Sequence, residues 1–392
     1  MIKSTPAELG YFMPAEWQRH AATWLSWPKD PLTWPDRVPL VEEIFLQMMA
    51  ALAPNEIVNL LVDDAETEAR VRNRCPFPAA SNIRFWQLQT VDSWIRDYGP
   101  NFLVSKRPES GESSLAYNDW TFNAWGNKYE ELKRDDAIPA QLEAELRVPR
   151  FEPGIVMEGG SIEVNGAGLV LTTEQCLLNP NRNPDLSQIA IENHLKSYLG
   201  VERIFWLGEG IVGDDTDGHI DDIARFVAPN TIVCALEDDP ADANYSLLQD
   251  NLRRLQLATD LDGRNFEIVT LPMPGVVAAT DDSSPRALDR LPASYANFYI
   301  ANNVVLAPIF GHENDKRALD TLQGVFPDRR VVGINCEPLV WGMGTIHCLT
   351  QQEPLAHAAA NFSRCLACPE GGTPAARTAS SARSARPPSQ WN

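Results

Sequence analysis

Four stretches of the chain repeat one order of elements, and that repetition limits the folds open to it more than any other feature. Pro54–Val91 opens on the apolar run Ile57 to Val62, passes the acidic pair Asp63-Asp64 and a helix-like stretch with arginines, and ends on a second apolar run, Ile83 to Leu88. Gly168–Trp206 has the same plan, with Leu169 to Leu171, then Asn179-Pro180-Asn181, a helical stretch around Leu186 to Leu199, and Arg203 to Leu207. Asn230–Leu271 and Asn303–Ile334 follow, opened by Thr231 to Leu236 and Val304 to Ile309 and closed by Phe266 to Leu271 and Arg330 to Ile334. Short β-branched runs bounded by turn residues read as buried strands. A fifth, poorer copy lies between Leu115 and Phe151, where Leu142 to Leu146 is helix-like.

Units of this length bury their apolar faces against their neighbours, and about five of them can close into a ring. The expectation is a single α/β domain, a five-bladed pseudo-symmetric α/β-propeller over residues 1–365. Residues 366–392 form a tail rich in Ala, Ser, Arg and Pro that buries too little to offset its ordering entropy and is expected to be disordered. In such a ring the loops after the second strands gather around one axis.

Those loops carry the chemistry. In order they are Asp92 to Pro100, Met157 to Ser161, Asp214 to Asp222, and Trp341 to Gln352. They hold recurring carboxylates, His219 and Cys348. A planar, permanently charged guanidinium needs carboxylates that accept paired hydrogen bonds, a role that suits Asp97 and Asp221. Attack on its central carbon suits a thiolate, with the bound cation supplying part of the charge that lowers the thiol pKa. One histidine, His219, can protonate the departing nitrogen and later activate water. Glu158 is expected to orient that ring.

Each residue also has a plain structural reading. Gly159-Gly160 makes a tight turn, Arg96–Asp97 and Asp221–Arg225 make ion pairs, and a lone cysteine is core. His347 adjoins Cys348, but strand neighbours point to opposite faces, so it is not expected to be the base. Common placement in equivalent loops separates the chosen residues from His20, His194, His312 and His357.

Charge agrees with a small cationic substrate: 53 acidic against 33 basic residues give a formal net charge of -20, which disfavours nucleic acid and anionic membranes as partners. A homo-oligomer stays open. No signal-peptide pattern or membrane-length apolar run is present, so a cytoplasmic protein with reduced cysteines is expected. Cys365 and Cys368 form a single CxxC without a second ligand pair, and no metal site is expected from it.

The motifs Met13-Pro14-Ala15-Glu16-Trp17, Trp24-Leu25-Ser26-Trp27-Pro28, Trp94 to Pro100, Glu158-Gly159-Gly160-Ser161, Gly218-His219-Ile220-Asp221 and Ile346-His347-Cys348 resemble, in this order, the agmatine deiminase family, which includes bacterial peptidylarginine deiminases. The resemblance implies the pentein fold and no cofactor. It implies Cys348 as nucleophile, His219 as acid/base, Asp97 and Asp221 as guanidinium clamps, Glu158 as a further carboxylate, and Trp94 lining the channel. The implied reaction converts agmatine to N-carbamoylputrescine and ammonia, a step toward putrescine, through an S-alkylthiouronium intermediate. Asp214 or Asp215 would meet the substrate amine. Two departures bear on specificity: Asp217 and Asp222 stand where relatives carry asparagine, and Trp341-Gly342-Met343-Gly344 replaces a run of glycines. The alternatives are a peptidyl-arginine or other guanidino deiminase, an amidinotransferase, and a non-catalytic propeller module.

Overall fold

The computed structural model describes residues 4–75, 80–106, 113–278 and 290–356. The expected tail and the Cys365/Cys368 pair lie outside them. All described residues fall in one compact unit, and none of their helices is long and apolar enough to cross a membrane.

The repeat becomes five mixed sheets. In each, a central strand pairs antiparallel with one neighbour and parallel with the strand that a crossover helix delivers. Ala224–Ala228 pairs antiparallel with Thr231–Leu236, which then lies parallel to Glu267–Pro272 after the helix Tyr245–Leu257. Tyr299–Ala301, Val304–Ile309 and Arg330–Asn335 repeat the arrangement with the helix Asp315–Val325. Glu163–Val164, Leu169–Thr173 and Arg203–Leu207 do so with the helix Gln188–Leu199. A parallel pair needs such a crossover, because a tight turn cannot return the chain to the same end.

The poorer fifth copy forms as well. Leu115–Asn118 runs parallel to Arg150–Phe151, with the helix Ile138–Leu146 between them, and it pairs antiparallel with Asn101–Ser105. Its closing strand has only two residues, which is why the sequence pattern there is faint. The last sheet joins both ends of the fold: Gln351–Pro354 pairs antiparallel with His20–Ser26, which lies parallel to Ile57–Val62 and that in turn to Ile83–Gln87.

Local signals explain the boundaries. Ser187 accepts from the Ala190 N–H at the start of Gln188–Leu199, and Asp64 does the same for Thr67 at the start of Ala65–Asn73; each such cap stabilises its helix by about 1 kcal/mol. The central strands are buried on both faces, as in Val304, Val305 and Leu306, all with no exposure. That is the pattern of a strand covered on one side by its crossover helix and on the other by a neighbouring unit. Burying one such side chain contributes about 1.5–3 kcal/mol.

The carboxyl ends of the helix-delivered strands, at Gln87, Phe151, Leu207, Pro272 and Asn335, release the chain into the loops that precede the next antiparallel strand. Carboxyl ends of parallel strands are where α/β sheets place ligand sites.

Candidate active site

Three of these loops bring carboxylates together around a glycine. Gly160 donates its N–H to Asp97 Oδ1 at 2.9 Å. A Cβ on Gly160 would stand 2.6 Å from His219 Nδ1, 2.9 Å from Asp97 Oδ1 and 3.1 Å from Asp221 Oδ2. Glycine is therefore required here by close approach, a stronger reason than the tight turn alone. The second oxygen of Asp97 accepts from the Trp125 indole at 2.9 Å.

Cys348 sits on the short 3-10 turn His347–Leu349, so the strand geometry expected there is absent. Its sulfur lies 3.8 Å from Asp221 Oδ2 and 3.2 Å from Asn297 Nδ2, which donates to it. On this turn His347 is no base for its neighbour: its Nδ1 meets Asp221 Oδ2 at 2.7 Å and its Nε2 meets Glu16 Oε2 at 2.8 Å.

His219 is 1% exposed, and neither ring nitrogen has a hydrogen-bond partner. Its nearest anionic neighbour is Asp97, with Nδ1 to Oδ1 at 3.9 Å. Glu158, expected to orient it, instead accepts from Arg182 Nε at 2.6 Å through Oε1, while its Oε2 is unpartnered. Asp221 Oδ1 is likewise unpartnered. Neither ion pair considered from sequence forms. Arg96 turns to Glu16 at 3.4 Å, and Arg225 bonds Glu163 at 2.7 Å and Glu16 at 3.0 Å.

The electrostatics follow from burial. Burial, then the charges of Asp221 and Glu158, raise the Asp97 carboxyl well above its usual range. Burial, then Asp221, Asp222 and Asp97, push the Cys348 thiol well up. Burial drives His219 down to about 3, only partly opposed by Asp221. Burial also raises Asp221, but the bond and charge of His347 outweigh it and leave that carboxyl below its ordinary value. Their surroundings thus favour a neutral thiol at Cys348 and a neutral imidazole at His219.

A cavity of about 340 Å³ reaches this cluster, with Trp94, Asp97, Asp215 and Cys348 in its wall. His219, Asp221 and Glu158 lie behind that wall, each at most 1% exposed. Trp94 is held by its indole N–H on Asp92 at 2.9 Å. Of the two residues offered for the substrate amine, Asp214 is turned into its own loop, accepting from Thr216, Gly218 and His219 backbone N–H groups. Asp215 faces the cavity, where its carboxylate accepts from the Tyr129 hydroxyl and lies 3.6 Å from Lys128 Nζ.

The two departures also find their places. Asp217 adopts φ 67°, the left-handed region that asparagine and aspartate tolerate best, and binds Arg182 at 2.6 Å and Lys128 at 2.8 Å. Met343 adopts φ 73° in the cavity wall, a conformation that costs a non-glycine residue about 1–2 kcal/mol.

Glu158, Cys176 and His219 offer one ligand atom each within 4.8 Å of one another. Arg182 already bonds that glutamate, and burial pushes the Cys176 thiol well up, so the trio is poorly suited to a cation.

The family model described as Porphyromonas-type peptidyl-arginine deiminase matches residues 12–354. The chain belongs to this family. It is 38% identical to an agmatine deiminase of Medicago truncatula over 90% of its own length and 99% of the relative's. The solved agmatine deiminase of Enterococcus faecalis superposes with a TM-score of 0.84 at 37% identity, covering 90% of this chain and 98% of that one. A C. jejuni agmatine deiminase solved with substrate bound gives 0.77 at 29% identity, covering 88% and 96%. The α/β pentein fold of this deiminase family follows from those superpositions.

Sequence reasoning overlooked Asn297, Trp125, Arg182, Glu16 and the connecting role of His347. Asn297 had a usable signal. It lies in the loop between Glu267–Pro272 and Tyr299–Ala301, the one equivalent loop from which no residue was chosen.

Proposed function

We propose that this deiminase-family chain hydrolyses agmatine to N-carbamoylputrescine and ammonia, with Cys348 as nucleophile. The observation that carries this reading is the arrangement beside the Cys348 sulfur: an Asp221 oxygen at 3.8 Å, a second Asp221 oxygen without a partner, and a buried His219 with both nitrogens free. A carboxylate cluster of this kind is complementary to a planar cation, and a guanidinium both neutralises it and presents an electrophilic carbon to the thiol.

The guanidinium bonds Asp97 and Asp221, and its charge lowers the thiol pKa. Cys348 sulfur forms a bond to the central carbon while the thiol proton passes to His219. His219 returns that proton to a terminal nitrogen, the C–N bond breaks, and ammonia leaves an S-alkylthiouronium. Water then attacks the same carbon, giving its proton to His219. The C–S bond breaks as His219 returns its proton to the sulfur and the adduct's hydroxyl proton passes to solvent, releasing the ureido product and the free thiol. Glu158 and Arg182 hold the wall behind the imidazole.

The far end of the cavity favours an amine over a carboxylate. Asp30, Glu130, Glu131 and Asp215 line it with one lysine, Lys128, which Asp217 already engages at 2.8 Å. We also read the five sheets as blades of one closed propeller, supported by the sheet that the first long strand shares with the last. The deciding experiment is ammonia release from agmatine, arginine, a peptide ending in arginine and shorter guanidino acids, by wild type and Cys348→Ala. Agmatine is expected to be the best substrate and the variant inactive. Peptide turnover exceeding agmatine would move the assignment to a peptidyl-arginine deiminase, and equal activity in Cys348→Ala would remove the nucleophile.

A further inference from the structure

Behind the reacting face lies a buried chain of charge of which the reaction above uses only Asp221. Glu16, His347 and Asp221 come from the first, last and middle parts of the sequence, and the imidazole spans the two carboxylates with contacts of 2.8 and 2.7 Å. All three are at most 4% exposed.

A neutral imidazole has one N–H and one lone pair, and a lone pair facing a carboxylate oxygen at such a distance is repulsive. Either the ring donates at both nitrogens or one carboxylate keeps a proton. Glu16 is the poorer place for that proton: burial raises it, but Arg225, His347 and Arg96 outweigh burial and hold it far below the usual range. The ring is fixed from the Glu16 side, and Glu16 itself is fixed by Arg96 at 3.4 Å, Arg225 at 3.0 Å and the Ile300 N–H at 2.8 Å. On the other side, the Asp221 oxygen that the ring occupies is the one 3.8 Å from Cys348 sulfur. The remaining Asp221 oxygen has no partner among the described residues.

We propose that Glu16 and His347 are a positioning pair for the guanidinium clamp. Glu16 keeps His347 as a doubly donating imidazolium, which orients Asp221 so that one oxygen stays free for substrate, and screens the other from the sulfur that becomes a thiolate. The inference rests on the deiminase reading above for its meaning and on geometry for its existence.

Two variants separate the two ends of the ring. His347→Asn places an amide donor near the Nδ1 position and keeps the Asp221 contact, whereas His347→Gln places it near Nε2 and keeps only the Glu16 contact. Agmatine deimination by His347→Gln is expected to fall about a hundredfold in kcat/KM, and by His347→Asn about tenfold less steeply, since a hydrogen bond to a charged group is at stake. Melting curves verify that both variants are folded. Glu16→Gln keeps the shape and removes the charge, so kcat/KM should fall in that variant too while its melting curve stays close to wild type.

Wild type alone supplies a further readout: ¹⁵N-histidine spectra at pH 7, with the His347 signals assigned by their absence in the variants, should show one residue protonated on both ring nitrogens. A neutral tautomer at His347, equal losses in the asparagine and glutamine variants, or an unchanged kcat/KM in Glu16→Gln would each overturn the pair. Should wild type release no ammonia from any guanidino compound, the deiminase reading fails, while the spectra still decide whether the imidazolium exists.

Discussion

The Asn297 side chain donates to the Cys348 sulfur across 3.2 Å, and its carbonyl oxygen accepts from the His347 N–H at 3.0 Å and the Thr345 hydroxyl at 2.7 Å. One amide thus ties Cys348 to its own turn and offers its sulfur an N–H. A thiolate gains more from that donor than a thiol does. Asn297→Ala is expected to lower kcat about ten- to a hundredfold with a smaller change in KM, the loss of one hydrogen bond to a charged group. Steady-state kinetics on agmatine measure it, and an unchanged kcat would show that the contact serves packing alone.

Gly160 gives the sharpest steric prediction. Because a methyl there would stand 2.6 Å from His219 Nδ1 and 2.9 Å from Asp97 Oδ1, Gly160→Ala must push the imidazole and the clamp apart. Activity should fall by a factor of about a hundred or more, since displacement of reacting groups by about 1 Å costs that much. Melting temperature should fall only modestly, overpacking costing about 1–3 kcal/mol. Full activity in this variant would mean that His219 and Asp97 do not need their present spacing.

The thiol has its own pH signature. With burial and three carboxylates raising Cys348, the substrate-free enzyme should react slowly with iodoacetamide at pH 7 and faster as pH rises through 9 and beyond. A bound, non-reacting guanidinium compound that leaves the sulfur accessible should shift that rise to lower pH. A rate already at its plateau at pH 7 in the free enzyme would contradict the electrostatic reading.

Stability should depend on pH in the opposite sense from most acidic proteins. Burial is the leading cause that raises Asp92 to about 7 and Asp119 and Asp135 to about 6. A carboxyl whose folded pKa exceeds its unfolded value binds more protons when folded, so its contribution is full below about pH 4 and is lost as pH rises through 6 to 7. Glu16 and Asp217 are shifted downward and lose their contribution only as pH falls below the carboxylate range, while His219, driven down to about 3, opposes the trend up to about pH 6.5 and is outnumbered there by the raised carboxyls. Thermal melts between pH 5 and 8 are expected to show a falling melting temperature. A rise over that interval would mean these carboxyls are hydrated in the folded protein.

Much of the architecture was legible because it is repeated. Ile57–Val62, Thr231–Leu236 and Val304–Ile309 have the bounds their apolar runs announce, since burial on both faces favours apolar residues and admits a polar one only when it is paired, as Asn59 is by the Trp86 indole. Position in equivalent loops also pointed to Asp97, His219, Asp221 and Cys348, which the structure brings to one place. What could not be read were the partners. Trp125 reaches Asp97 from a segment with backbone φ of 51°, Arg182 reaches Glu158 from a turn after the helix Glu174–Leu177, and Glu16 lies before the first long strand. None has a periodicity that records its target. His347 was set aside on a strand argument that fails on a 3-10 turn.

The pairing of Gln351–Pro354 with His20–Ser26 gives this enzyme an order of appearance during synthesis. Four of the five sheets can complete before the ribosome has released residue 340, but the sheet that holds the first long strand waits for its last partner, which follows Cys348 by three residues. The edge of His20–Ser26 therefore has no antiparallel partner until the chain has been made past Cys348. A chain that stops before Gln351 lacks the strand that completes this sheet, so activity is expected only once that strand has paired.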